Sequence, residues 1–293
     1  MWRFFTGLGS ITGYAVNTLF WFVPIILLSV LKLWPTPRWR TFVTYLLDSC
    51  AAAWVRINSL NQDLTANVRW DIRGMPGLSP KDWYLVIANH QSWVDILVLQ
   101  RIFSGRIPFL KFFLKKELIW VPVLGLAWWA LDFPFMRRYK KPFLEKHPHL
   151  KGKDLETTRK ACEKFRYKPV SIMNFVEGTR LTRAKQITQQ SQFSHLLKPR
   201  AGGIAFVVSA MGDKLHKLLD VTIHYPDGIP TFWDFVCGKV KDIQVRVQIM
   251  SLDSILPGNY FEDAEQRLRF QLWLNQRWTA KDKLLNQLHV GRQ

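Results

Sequence analysis

Cysteine is scarce in this chain, and the three present, Cys50, Cys162 and Cys237, show no C-x-x-C spacing. They cannot all pair, which argues against a disulfide framework and fits a reducing compartment better. No G-x-S-x-G occurs, which speaks against a serine-hydrolase elbow. No H-E-x-x-H occurs either, and His147-Pro-His149 lacks a third ligand, so it reads as a loop rather than a metal site. Glycine-rich patterns for nucleotide phosphates are absent, as are internal repeats at a fixed period. Acidic side chains are few: 22 Asp and Glu stand against 41 Lys and Arg, a formal charge of +19. Such a balance implies a partner of opposite sign, and phosphate is the obvious one, on nucleic acid, on lipid headgroups or on small substrates.

What is present begins with a long apolar run. Phe4 to Leu31 contains no charged residue, and Tyr14 to Leu31 is dense in Leu, Ile, Val, Phe and Trp. As a helix it can cross a bilayer core, which needs ~20 such residues. Pro24 predicts a kink and keeps a re-entrant hairpin open beside a full span, and a buried core helix is the soluble alternative. The flanks do not resemble a secretory signal. Lys32, Arg38 and Arg40 follow at once, which by the positive-inside rule places the remainder on the cytoplasmic side. A second helix is expected from about Arg38 to Arg56, interfacial or bundle-packed, and Asn58 to Asn67 reads as a polar connector. These residues suggest a division into an anchor with an interfacial helix, 1–60, and a folded domain, 61–293.

Within that domain Val68, Trp70 and Ile72 alternate with charged residues, as in a half-buried strand. Trp83 to Ala88 and Pro169 to Val176 are continuous apolar runs, Val221 to Tyr225 is a short one, and Ile243 to Ile249 alternates. Helical patterns lie between them, at Asp154 to Arg166 and Ala201 to Met211, and a last helix spans Glu262 to Leu288. Strands and helices in alternation predict an α/β sheet with helices on its faces. Arg137, Arg138, Lys140, Lys141, Lys146, Lys151 and Lys153 form a basic run with only Glu145 against them. It fits a solvated loop, and equally a surface that meets anionic lipid.

Two polar clusters stand where buried strands stop, the place where open α/β sheets bind ligands. The first is Asn89-His90-Gln91-Ser92-Trp93-Val94-Asp95. Five residues apart, His90 and Asp95 do not meet on one ideal helix, where the second would be rotated by about 140°. They meet if His90 lies in the turn and Asp95 in the first turn of the next helix, a start that the Ser92-x-x-Asp95 spacing supports. Asp95 then holds one imidazole nitrogen and leaves the other as a base suited to neutral pH. A capping Asp beside an unrelated loop His would show the same spacing. The second cluster, Phe175-Val176-Glu177-Gly178-Thr179-Arg180, offers a carboxylate, a flexible backbone and a guanidinium able to grip phosphate bidentately. Alone it could equally be a turn with a surface ion pair.

Together these clusters resemble the glycerolipid (lysophospholipid) acyltransferase family. Its first block, N-H-x-S-x-x-D, reads NHQSWVD here, and its third, with E-G-T-R at the core, reads FVEGTR. The second block is similar to Lys115-Lys-Glu-Leu118, Pro122 and Phe135-Met-Arg-Arg138, and the fourth to Val221-Thr-Ile-His-Tyr-Pro226. The flanking text looks like a bacterial inner-membrane member of that family. Val176 departs from the proline many relatives carry there, and Arg137 stands where a small or acidic residue is common.

The resemblance implies a central mixed β-sheet flanked by helices, with N-terminal membrane helices. It further implies a lysophospholipid acceptor, an acyl-CoA or acyl carrier protein thioester as co-substrate, and no other cofactor. His90 and Asp95 would be catalytic; Glu177, Gly178, Thr179, Arg180, Lys115 and Arg138 would hold the glycerol phosphate. Acyl chains would enter from membrane lipid past the tryptophan-rich Ile119 to Phe135. No metal and no nucleic acid is expected, and the acceptor implied is 1-acyl-glycerol 3-phosphate. The alternatives are another lysophospholipid acceptor, or a non-enzymatic basic module on membrane or nucleic acid. The last would bind with a steep salt dependence indifferent to His90.

Overall fold

The computed structural model describes residues 1–136, 165, 168–211, 214–252 and 260–291. The basic run, the helix expected over Asp154 to Arg166 save Phe165, His147, His149, Cys162, Arg137 and Arg138 lie outside the described residues. Two long helices come first, α1 (Trp2–Leu31) and α2 (Pro37–Thr65). Proline at the first turn suits the start of α2, because the amide it lacks would have had no partner there. Helix α1 continues through Pro24.

Helix α2 runs nine residues beyond the expected end at Arg56, through most of the segment read as a connector. Its polar residues explain the extension. Asn58 and Gln62 are buried, continuing the stripe of Val43, Leu47, Ala51 and Val55. Asn17 of α1 donates to Asn58 Oδ1 at 2.8 Å and to the Trp54 carbonyl at 2.9 Å, and Asn61 donates to the Ser10 carbonyl at 2.9 Å. Polar residues here face another helix rather than solvent. The opposite flanks leave Phe20, Val23, Leu27, Trp39, Phe42 and Tyr45 exposed.

The sheet has six strands: β1 (Arg69–Arg73), β2 (Tyr84–Ala88), β3 (Leu110–Phe112), β6 (Ser171–Phe175), β7 (Lys217–His224) and β8 (Asp242–Ser251). Their order is β1-β8-β7-β2-β6-β3, with only the β7–β8 pair antiparallel, so the sheet is mixed. A separate short pair joins β4 (Leu114–Lys115) to β5 (Phe135–Met136). Strand β7 begins four residues earlier than the apolar run suggested. Lys217 and Asp220 interrupt the hydrophobic pattern, and both are matched: Lys217 by Asp82 at 2.6 Å, Asp220 by Lys281 at 2.6 Å and Arg277 at 3.0 Å.

Three layers follow from the period of two along β2. Tyr84, Val86 and Ala88 join a core that includes residues of α1, α2 and α3 (Val94–Phe103). Leu85 and Ile87 join a second core formed by α6 (Gly202–Met211) and α8 (Ala264–Val290). The last helix starts at Ala264 rather than Glu262, capped by Asp263, whose side chain accepts from the Glu265 amide at 2.8 Å, with Glu265 in its first turn and His289 in its last. Four short helical segments complete the described fold: a 3-10 turn Lys116–Trp120, α4 (Leu124–Ala130), α5 (Arg183–Thr188) and α7 (Phe232–Val236). Helix α1 packs on α4 and α7 as well as α2.

Candidate active site

Strand β2 delivers its last residues to the edge shared by the C-terminal ends of the parallel strands. Asn89 is locked there by two hydrogen bonds to Ile223 of β7, each 2.9 Å. His90 therefore starts the turn from a fixed point. Its Nδ1 lies 2.9 Å from Asp95 Oδ2, in the first turn of α3, the arrangement the spacing required. The same oxygen accepts the Gln91 amide at 2.6 Å and the Ser92 amide at 2.8 Å. Ser92 Oγ accepts from Val94 N at 3.2 Å and donates to the Pro230 carbonyl at 2.6 Å, so it ties the turn to the segment before α7.

Asp95 is completely buried, whereas the His90 side chain keeps 12% exposure. With Nδ1 engaged, Nε2 has no protein partner among the described residues. The imidazole stacks on Phe175 with ring centroids 3.8 Å apart and planes 12° from parallel. It is thus held by a carboxylate on one nitrogen and by an aromatic face, with its free nitrogen available as a base.

The second turn lies alongside. The Leu181 amide donates to the His90 carbonyl at 2.8 Å, joining the two motifs through the backbone. Gly178 has φ of +71°, a left-handed conformation that disfavours a side chain at this tight exit from β6. Arg180 places its guanidinium 4.5 Å from the centre of the Trp93 ring, inside the His90–Asp95 turn. Among the described residues that guanidinium has no ion pair, which leaves its fork open to an anion. Lys185 of α5 donates to Thr179 Oγ1 at 2.7 Å and to the Arg180 carbonyl at 2.9 Å, adding a cation the motif reading passed over.

The other expected residues are placed unequally. Lys115 is exposed in β4, three residues beyond Phe112, whose ring lies 6.2 Å from that of Phe175. Arg138 lies outside the described residues. Glu177 is only 1% exposed, and its carboxyl oxygens are closed off from the surface, so in this conformation it does not offer them to a ligand. Trp278 and the Leu197 amide are its near donors but stand outside good hydrogen-bond geometry. Burial pushes this carboxyl well above the usual carboxylate range, against the smaller opposing pull of Trp278 and Lys281. Lys281 is itself buried, donating to the Val221 carbonyl at 2.5 Å beside Asp220.

Tyr225 is the further residue that sequence reading placed only as part of a strand ending in proline. Its hydroxyl donates to Asp95 Oδ1 at 2.6 Å. No spacing rule links residues 130 apart; they meet because Asp95 starts the helix after β2 and Tyr225 directly follows β7, the strand beside it. A cavity of about 610 Å³, lined in part by Lys32, Lys111, Lys168 and Asp48, contains none of the motif residues. No cluster that could hold a metal occurs among the described residues.

The structure is thus a mixed α/β sheet carrying a His–carboxylate pair at its strand ends, beside an arginine-bearing turn. The family can be stated plainly: residues 69–225 match the Acyltransferase family, over half of the chain, and the chain belongs to it. It is 26% identical to lysocardiolipin acyltransferase 1 of Danio rerio over 297 residues, covering 96% of this chain and 69% of that protein. It is 27% identical to 1-acyl-sn-glycerol-3-phosphate acyltransferase 2 of Brassica oleracea over 227 residues, 72% of this chain and 52% of that one. The chain thus spans about half the length of that plant relative. The fold is that of the 1-acyl-sn-glycerophosphate acyltransferase PlsC from Thermotoga maritima, with a TM-score of 0.53 and 17% identity, covering 96% of this chain and 95% of that one.

Proposed function

We propose that the protein moves a fatty acyl group from an acyl thioester, on coenzyme A or an acyl carrier protein, to the free hydroxyl of 1-acyl-glycerol 3-phosphate, giving phosphatidic acid. The observation that carries this reading is the His90–Asp95 pair beside Arg180, which stacks on Trp93 of the same turn; among the described residues Nε2 has no partner and Arg180 no ion pair. His90 takes the hydroxyl proton as the oxygen attacks the thioester carbon. Collapse of the tetrahedral intermediate breaks the carbon–sulfur bond, and the imidazolium returns the proton to the leaving thiolate. Asp95 supports the imidazolium, and no acyl-enzyme forms. Arg180, with Gly178, Thr179, Lys115 and Arg138, holds the glycerol phosphate, and Glu177 contributes from beneath the turn.

The exposed apolar flanks of α1 and α2 support a membrane site, with residues 1–60 as anchor and 61–293 as a catalytic domain on the cytoplasmic face of a bacterial inner membrane. Helix α1 is long and apolar enough to cross a bilayer, and only 17% of its most apolar window is buried within the protein. A second reading, with another lysophospholipid as acceptor, is favoured by the similarity to a protein named for lysocardiolipin.

The test is to supply the membrane-embedded protein with labelled acyl thioester and a panel of lysophospholipids. Acylation of lysophosphatidic acid foremost is expected. His90→Ala should lower turnover by about 100- to 10,000-fold. Arg180→Ala should raise the acceptor KM more than the donor KM, and penalise a phosphomonoester acceptor more than a headgroup-substituted one. Near-normal turnover by folded His90→Ala sinks the mechanism; a product from another acceptor alone replaces the first reading by the second.

A further inference from the structure

The Asp95 carboxylate divides its contacts unevenly. Oδ2 serves His90 and two backbone amides, whereas Oδ1 has one partner, the Tyr225 hydroxyl at 2.6 Å. Both residues are buried, Tyr225 at 4% exposure and Asp95 at 0%. No lysine or arginine pairs with Asp95 among the described residues. The charged groups facing this cluster are few: Glu177 lies across the β6 turn with Lys281 behind it, and Arg180 stacks on Trp93. Neutral donors, not cations, therefore carry the buried carboxylate, and among the described residues the phenol is the only side-chain donor besides the histidine.

Its placement is well determined. Tyr225 directly follows β7, two residues after Ile223, which is double-bonded to Asn89, the residue before His90. The Gly228 amide donates to the Tyr225 carbonyl at 3.0 Å, closing the turn beyond it. The phenol and the imidazole thus meet the same carboxylate from adjacent strands held in one register.

We infer that Tyr225 is a positioning residue that sets the orientation and basicity of His90 by acting through Asp95. The inference rests on the His90 general-base reading above. The phenol draws charge toward Oδ1 and so tempers the hold of Oδ2 on the imidazolium that forms when His90 takes a proton. It also pins the carboxylate so that Oδ2 stays on Nδ1. Without the phenol, Oδ1 is a buried acceptor lacking a partner, its charge shifts toward Oδ2, and the carboxylate is freer to turn.

The experiment compares pH–rate profiles of kcat/KM for the full chain in vesicles, with an acyl thioester and a lysophospholipid, for wild type, Tyr225→Phe and His90→Ala. Tyr225→Phe should lower kcat by about tenfold, as losing one hydrogen bond to a charged group commonly does. Both KM values should remain near those of wild type, and the acidic limb should move to higher pH. Fluorotyrosine incorporated at position 225, a stronger donor, should move that limb to lower pH, and it serves if Tyr225→Phe does not fold. If His90→Ala is inactive and neither substitution at 225 moves the limb, Tyr225 is merely structural and the inference fails alone. If folded His90→Ala remains active, the base reading falls and the role of Tyr225 with it.

Discussion

At the scale of single residues, the site joins groups whose surroundings differ sharply. Asp95 is buried yet supplied with two amides, a phenol and an imidazole, whereas the Glu177 carboxyl is buried with none of those in good geometry. Desolvation therefore dominates at Glu177 and raises its pKa from the ordinary 4.5. The folded chain keeps a proton there that the unfolded chain releases above that value. Stability from this group is accordingly complete below pH 4.5 and is lost as pH rises through the folded value. Glu177→Gln keeps the shape and the neutral charge, so thermal unfolding followed upward from mildly acid pH should decline less steeply than in wild type. A variant that declines just as steeply would show that Glu177 is ionised in the fold.

At the scale of elements, the pairing of α1 with α2 is fixed by polar groups as much as by apolar ones. Asn17 is 6% exposed and Asn58 2% exposed, and their hydrogen bond sits between two helices whose outer flanks are hydrophobic. Asn17→Leu leaves the Asn58 oxygen without its Asn17 donor and removes the bond to the Trp54 carbonyl. A loss of about 1–3 kcal/mol is expected, the usual cost of stranding a buried polar group, read as a lower unfolding temperature in detergent. Asn17→Leu with Asn58→Leu should recover part of that loss, since two apolar partners strand no one. If the double variant is no better than the single, the pair does not couple the helices.

At the scale of the whole molecule, α1 and α2 leave apolar side chains exposed, including Phe20, Leu27, Trp39 and Phe42. An interfacial helix with aromatic residues binds lipid through apolar burial, and basic residues add attraction to anionic headgroups. Deleting residues 1–34 should weaken membrane retention while leaving partial binding through α2 and the basic residues of the chain. Flotation with anionic and neutral vesicles checks this: the truncated protein should float with the anionic set and less with the neutral set. A truncated protein that floats with neither would assign all membrane affinity to α1.

Much was legible before any coordinates, because local patterns carry it. The uninterrupted apolar run of β2, the alternation in β8 and the existence of the last helix all express contacts between near neighbours or a uniform environment. The His90–Asp95 contact was legible too, since a turn followed by a helix start brings residues five apart together. Tertiary structure alone decided the rest. Charges inside β7 are tolerated because Asp82, Lys281 and Arg277 arrive from distant segments to meet them. The polar end of α2 is helical because α1 supplies its partners. Glu177, hydrophilic and set in a substrate-binding motif, is closed off beneath the turn by packing against Trp278 of the last helix. Tyr225 reaches Asp95 only because β7 lies beside β2, and the energy of a buried hydrogen bond depends on that adjacency, which no local spacing encodes.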